Sequence, residues 1–249
     1  MPQVTSPAVI LQSFAYSETS KILRLLTRSH GVQSVIAKGA LRPKSRFGGL
    51  LEQFTEGSAT FYLRDTRDLH TLSGFDLLRS RQSLGSDLLR FGGASLIAEL
   101  VLRVVSDETD EGLYDAITAA FESIEKAPIE TLQSVLLAET WSLIAQLGFA
   151  PALEECLVCG RALQPDEETM FDYTAGGVRC HDCAAGLGGR LLPSGARTAL
   201  SELASGTPIP LERTEAHWRL LARYLSHHVL EGQTLRSLDF LAETLAASQ

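Results

Sequence analysis

The sequence predicts an α+β protein, a small closed β-barrel followed by a mainly helical body, and three observations carry that expectation. The apolar residues recur with a period near two as far as about Ser80, and near 3.6 from Leu84 onward. Charge changes sign along the chain: residues 1–90 hold 12 lysines and arginines against 7 aspartates and glutamates, and residues 91–249 hold 10 against 23. The four cysteines fall late, as the C-x-x-C pairs Cys156/Cys159 and Cys180/Cys183 with twenty residues between them.

Composition bounds what the chain can be. At 249 residues and 45% apolar content it suits one large domain or two small ones around a real core. No run of eighteen uncharged apolar residues occurs, and the most apolar stretch, Ala94 to Val105, is interrupted by Glu99 and Arg103. The start, Met1-Pro2-Gln3-Val4-Thr5, lacks the basic and apolar regions of a secretory signal, so a soluble, cytoplasmic protein is expected. The net charge of −8 argues against a polyanionic partner, but it combines +5 in residues 1–90 with −13 in the rest, and opposite signs point to two different jobs.

Short strands fill the first part. Val9-Ile10-Leu11 opens one, Lys21 to Thr27 supplies a second, and Arg28-Ser29-His30-Gly31 turns the chain into a third, Val32 to Lys38. Gln53 to Leu63 makes a fourth, and Arg64 to Asp68 turns it into a fifth, Leu69 to Ser73. Five strands in about seventy residues suit an OB-fold β-barrel, although an SH3-like barrel has a similar strand count. The change of period places the boundary near Ser80 to Asp87, giving a barrel domain at 1–80 and a helical domain at 81–249.

Between the third and fourth strands, Lys38, Arg42, Lys44 and Arg46 put four cations within nine residues and no acid among them. Glycines there let the backbone approach a partner, and Phe47 offers a ring for a base to stack on. On a barrel face this is the composition of a phosphate-contacting loop, against the plainer alternative of a solvated loop. The Lys44-Ser45 pair does not make a Walker loop, because Pro43 stands where that pattern requires glycine.

The helical part follows from spacing. Leu84, Leu88, Phe91, Ser95, Ala98 and Leu102 trace one helix ending near Asp107, and Tyr114, Ile117, Phe121 and Ile124 trace another, closed by Ala127-Pro128. Leu132, Val135, Leu136, Leu143, Ile144 and Leu147 trace a third, capped by Gly148, with Trp141 in its core. Further helices are expected from Pro193-Ser194 to Gly206, from Glu212 to Leu230, and from Leu235 to Ala247. His227 and His228 are adjacent and point about a hundred degrees apart on a helix, so they do not chelate together.

Two matched C-x-x-C knuckles are the spacing of a closed tetrahedral zinc site, with Cys156, Cys159, Cys180 and Cys183 as ligands. Disulfides would need an oxidising compartment, and a redox motif would explain one pair only. Four thiolates leave no open position for water, so the zinc is structural. His181 lies between two ligands and could stand in for one, but is better read as an exposed knuckle residue. Thr169 to Thr174 and Val178 to Cys180 flank Ala175-Gly176-Gly177 as a hairpin carrying the second knuckle, and the module spans 154–185.

Catalytic motifs are missing from the sequence. It has no H-E-x-x-H, no G-x-S-x-G, no G-x-G-x-x-G after a strand and no deaminase signature. The acid pairs Glu154-Glu155 and Glu167-Glu168 read as solvated surface, so a binding protein without catalytic residues is expected, not an enzyme. Two other classes stay open: a zinc-ribbon OB-fold adaptor for a protein partner, and a hydrolase with an unrecognised site.

Particular residues add a resemblance. Tyr16-Ser17-Glu18 leads into Lys21-Ile22-Leu23, then Leu26-Thr27 and Gly31, Val35-Ile36-Ala37-Lys38-Gly39-Ala40, and Lys44-Ser45-Arg46. Later, Leu147-Gly148-Phe149 precedes Cys156 to Gly160, Phe171-Asp172, Gly176-Gly177, the second cysteine pair and Leu235-Arg236-Ser237. In that order these resemble the RecO family of bacterial recombination mediators across nearly the whole chain. The resemblance implies an OB-fold domain joined to a helical domain with a zinc finger. It also implies binding of single- and double-stranded DNA, annealing of complementary strands, and action with RecR to load RecA onto DNA coated by single-strand-binding protein, at the bacterial nucleoid in the cytoplasm. Carried over by position, Lys38, Arg42, Lys44 and Arg46 match the family's basic loop, Lys21 and Arg24 its early basic strand, and the four cysteines its finger.

Overall fold

The computed structural model describes residues 2–63, 68–105, 111–185 and 191–247. Of the expected turn at Arg64 to Asp68 only Asp68 is among them, and Asp107 lies outside them. Two compact units divide the chain, Met1–Lys126 with Phe240–Gln249, and Ala127–Asp239.

Alternation of apolar and polar residues builds the first unit. Strands β1 (Gln3–Ala15), β2 (Lys21–Thr27), β3 (Gly31–Ala37), β4 (Glu56–Tyr62) and β5 (Leu69–Arg79) close in the order β1-β2-β3-β5-β4, with β4 returning to β1. The β3–β5 contact is parallel and the others antiparallel. That order is OB-like, which settles the choice that strand count alone leaves open. Ala8, Ile10, Leu23, Leu25, Val35 and Phe61 point inward, and Phe47 and Leu51 from the β3–β4 loop complete the core.

Part of the outer wall is also covered. Val9 pairs with Leu26, and Leu26 with Val32; all three are buried, where α1 (Leu88–Val104) and α2 (Glu111–Lys126) pack on β1. Asp87 caps α1, its carboxylate accepting from Arg90 N at 2.8 Å. This packing carries the first unit to Lys126, well past the change of period near Ser80.

The fourth strand starts later than Gln53. Phe54 takes a left-handed φ of 67°, which breaks extended backbone, and buries its ring edge-on to Phe91 and Phe121 at 5.9 and 5.1 Å. Beside it Arg81, 2% exposed, donates to Glu56 Oε2 at 2.8 Å and to the carbonyls of Phe54 and Thr118 at 3.3 Å each. Tyr114 donates its hydroxyl to the other Glu56 oxygen at 3.2 Å. Burial, then the Glu56 charge, raises the Tyr114 phenol well above its ordinary range. Arg79 pairs with Glu122 and Glu125 at 3.0 Å each, and Arg28 with Asp115. The positive charge of the barrel is therefore partly matched by acids on α2, and the opposite signs of the two halves do not mark separate jobs throughout.

In the second unit α3 (Leu132–Ile144) runs into a wide turn, Ala145–Phe149, that ends where Gly148 adopts φ 88°. The hairpin β6 (Thr169–Asp172) and β7 (Gly177–Arg179) follows, then the short α4 (His181–Ala184) and β8 (Leu191–Leu192), which pairs with the outer side of β6. Helices α5 (Ser194–Ala204) and α6 (Thr214–Tyr224) pack on α3, and α6 continues as a wide turn, Leu225–Val229. Trp141 is fully buried, 5.0 Å from the Tyr224 ring, and Tyr224 donates to Phe149 O at 2.7 Å.

The last helix, α7 (Arg236–Ala247), ends in the first unit, where Phe240 meets the Phe91 ring at 6.2 Å. A Cβ on Gly92 would come within 2.8 Å of Leu241, so a mid-helix glycine, which costs α1 roughly 1 kcal/mol in propensity, is what lets α7 approach.

Candidate metal centre and nucleic-acid interface

The second unit brings Cys156, Cys159, Cys180 and Cys183 together, all four sulfurs within 4.8 Å of one another. The Cys159–Cys180 separation is 3.9 Å, far too long for a disulfide and close to the edge of about 3.8 Å in a tetrahedron with metal–sulfur bonds of about 2.3 Å. Local hydrogen bonding shapes the knuckles. Gly160 N donates to Cys156 O at 2.9 Å, Cys156 N to Arg161 O at 2.9 Å, and Ala184 N to Cys180 O at 3.0 Å. The second knuckle combines the end of the hairpin with α4, a helical turn that sequence reasoning missed because four residues are too few to show a period.

The buried Cys156 sulfur accepts N–H bonds from Val158 at 3.4 Å and Cys180 at 3.3 Å. Burial opposes its ionisation, but donors from Cys159, Cys180 and Val158 outweigh it and bring the thiol down to about 6. Cys183 goes the other way, pushed up to about 12 by its hydrogen bonds to the Cys180 and Cys159 sulfurs and by burial. Four crowded thiols resist full ionisation on their own, and a thiophilic dication removes that resistance. His181 lies outside the sulfur cluster, its side chain 78% exposed beside Asp182.

The hairpin is held from both sides. Asp172 accepts from Thr174 N at 3.1 Å and Ala175 N at 3.0 Å across the turn, while its second oxygen takes Arg179 Nε at 2.9 Å. His228 Nδ1 lies 3.2 Å from Thr174 O, and a Cβ on Gly176 (φ 77°) would stand 2.5 Å from that ring. The paired histidines thus do not share a ligand: His228 packs on the turn, and His227 lies against Tyr173 at 6.3 Å.

In the first unit the basic loop lies over one end of the barrel. Leu41 N donates to Thr19 O at 3.0 Å, Ser13 Oγ to Leu51 O at 2.8 Å, and Lys21 Nζ to Leu51 O at 3.3 Å. Lys38, Arg42, Lys44 and Arg46 are exposed and form no ion pair among the described residues. Lys21 and Arg42 line one depression with Pro43, Gly49 and Glu52. Lys21 is tied to Glu52 at 2.9 Å, so its charge is partly matched. Arg24 stands three residues from Lys21 on β2, and the period of two sends it to the outer wall, opposite the Lys21 side.

Phe47 is a correction. It is 2% exposed in the barrel core with the Arg46 guanidinium over its ring at 4.9 Å, so it presents no face to a base. Loop composition could not reveal this, because the residue turns back under its own loop. The exposed rings near the loop are Phe14, at 43%, and Tyr16, at 61%.

Comparison with known proteins matches nearly the whole chain. The family model described as recombination protein O N terminal matches residues 1–81, and that for recombination protein O C terminal matches 85–239. The DNA repair protein RecO of Anaeromyxobacter dehalogenans is 31% identical, with 98% of this chain and 97% of that protein covered. That of Myxococcus xanthus is 30% identical over 98% of each. That of Caldanaerobacter subterraneus is 32% identical over 71% of this chain and 69% of its own length. Two family models in sequence order, an OB-like barrel and a four-cysteine cluster all agree: the chain belongs to the RecO family.

Proposed function

We propose that this protein is a recombination mediator in DNA repair that binds single- and double-stranded DNA, anneals complementary strands and, with RecR, promotes RecA loading onto DNA coated by single-strand-binding protein. Residues 1–80 serve as the DNA-binding domain, and the helical domain, 81–249, carries the finger module 154–185. Lys38, Arg42, Lys44 and Arg46 contact phosphates, with Lys21 and Arg24 contributing from β2. The observation that carries this reading is a loop of four exposed cations, without ion pairs among the described residues, on an OB-like barrel in a chain of the RecO family.

The chemistry is binding. Each cation that meets a phosphate releases condensed counterions, so affinity does not depend on base sequence and falls steeply with salt. Annealing breaks no covalent bond; it needs two strands held together with part of their mutual repulsion neutralised. That role requires no nucleophile or general base, in keeping with a non-enzymatic protein of the cytoplasm acting at the nucleoid. Among the described residues no helix is long and apolar enough to cross a membrane. Cys156, Cys159, Cys180 and Cys183 hold one structural Zn²⁺, whose binding energy adds to the folding energy of the finger.

A salt-titrated binding and annealing assay on plain oligonucleotides tests the proposal. Tight binding at low salt, a steep logarithmic loss with added salt and faster annealing of complementary strands are expected. No binding at low salt, or a complex with a protein partner that is insensitive to salt, refutes it in favour of an adaptor.

A further inference from the structure

The outer wall of the barrel has two ends of different character. At one end Val9, Leu26 and Val32 lie buried where α1 and α2 pack on β1. At the other, the register places Phe14 opposite Ile22 and Ile22 opposite Ile36. The β1 register shifts between Ile10 and Gln12, after which Ser13 faces Leu23 on the core side and Phe14 faces outward. Ile22 and Ile36 are half-buried, Phe14 is 43% exposed, and Tyr16 at the turn is 61% exposed. An apolar strip with two open rings is thus left exposed at this end of the wall.

The surroundings of that strip indicate its occupant. The basic loop is pinned to the same hairpin through Leu41 N and Thr19 O, and its four cations are unpaired among the described residues. Of the nearby acids, Glu52 is matched by Lys21, and Glu18 is the one on the hairpin turn. Arg24, on the same wall two residues from Ile22, has a Nε shielded from solvent and without a hydrogen-bond partner among the described residues. Arg24 on the same outer wall as the Phe14 ring, with a cationic loop tied to the β1–β2 turn at Thr19, offers the two kinds of group that a single strand uses, cations for its phosphates and open rings for its unstacked bases.

We propose that Phe14 and Tyr16, carried by the β1–β2 hairpin beside the basic loop, form a stacking platform for the bases of single-stranded DNA. The proposal rests on the DNA-binding reading above and assigns the base-facing part of that site. Base stacking accepts any base, so it adds affinity without sequence preference. It also favours single strands over duplex, in which the bases face each other.

The test compares the parent with a Phe14→Ala/Tyr16→Ala variant, at one salt concentration, on three probes: oligo(dT), an abasic strand of equal length, and a duplex. The variant is expected to bind oligo(dT) roughly tenfold or more weakly, while its affinities for the abasic strand and the duplex match the parent's. Its salt slope on oligo(dT) stays at the parent value, because no charge is lost. Unchanged oligo(dT) affinity overturns the platform while leaving the DNA-binding reading intact. An equal loss on oligo(dT) and abasic strands also overturns it, tracing the effect to the shape of the hairpin. A parent that binds none of the probes overturns the DNA-binding reading itself. A Phe14→Tyr/Tyr16→Phe variant, which keeps both rings, is expected to bind oligo(dT) as the parent does, and a loss there counts against stacking.

Discussion

Arg81 Nη2 sits 2.8 Å from Glu56 Oε2, with the two side chains only 1% and 14% exposed. The pair joins the segment after β5 to the start of β4, and the same guanidinium bonds Phe54 O and, from α2, Thr118 O. Replacing Arg81 with Met leaves the Glu56 carboxylate without its cation and two carbonyls without this donor. A loss of about 3–5 kcal/mol in urea unfolding is expected. A loss under about 1 kcal/mol would show that solvent reaches the pair.

The basic loop gives a quantitative expectation. If the loop meets phosphates as proposed, Arg42→Ala/Lys44→Ala/Arg46→Ala should make the slope of log affinity against log salt on a single strand shallower by about 2. Folding should change little, since all three residues are exposed and only the Arg46 contact with the Phe47 ring is lost from the core. Fluorescence anisotropy across a salt series checks both statements, and an unchanged slope sinks the loop as a phosphate site.

Metal content and stability should move together. Purified parent protein is expected to hold about one zinc ion per chain, and Cys156→Ser, which removes the buried sulfur bonded by Val158 and Cys180 amides, to hold far less. Elemental analysis reads the metal. A lower melting temperature in the variant, reproduced in the parent by a strong chelator, reads its structural role. A variant as stable as the parent, with no zinc in either, would remove the metal from the fold.

Asp172 should make the finger hairpin sensitive to acid. Backbone donation from Ala175, then the Arg179 contact, holds its carboxyl below the usual range. A depressed folded-state value means that its contribution is complete above the unfolded value of about 3.9 and is lost as pH falls through the folded one. Asp172→Asn should therefore cost about 1–2 kcal/mol at neutral pH, with the gap from the parent closing in strong acid. Melting curves between neutral pH and about pH 3 test the sign, and a gap that widens in acid would contradict it.

Sequence pattern made the clustering of the four cysteines legible, because cysteines at that spacing have few other uses. The β2 boundaries, Lys21 and Thr27, were also readable, since a short alternating run lies between two turns. Phe54 and Phe47 were not. Each is an aromatic in a stretch between strands whose burial depends on what the chain brings over it: Phe91 and Phe121 in one case, the barrel interior in the other. The ion pairs of Arg28, Arg79 and Arg81 with α2 or β4 escaped for the same reason, since charge counting along a chain does not see partners distant in sequence. β8 was missed because two residues carry no periodicity. The open rings at Phe14 and Tyr16 had one available signal, the polar residues Gln12, Ser13 and Ser17 around them, which is unusual company for buried aromatics.

The return of α7 has a consequence for biosynthesis. Phe240 and Leu241 fill the place beside Phe91 and Gly92, yet they leave the ribosome only after the whole of 127–239. The unit translated first is thus finished last, and until then the nascent chain shows an open aromatic face on α1. Released chains ending before Phe240 should accordingly be cut by protease around α1, while the full chain resists there.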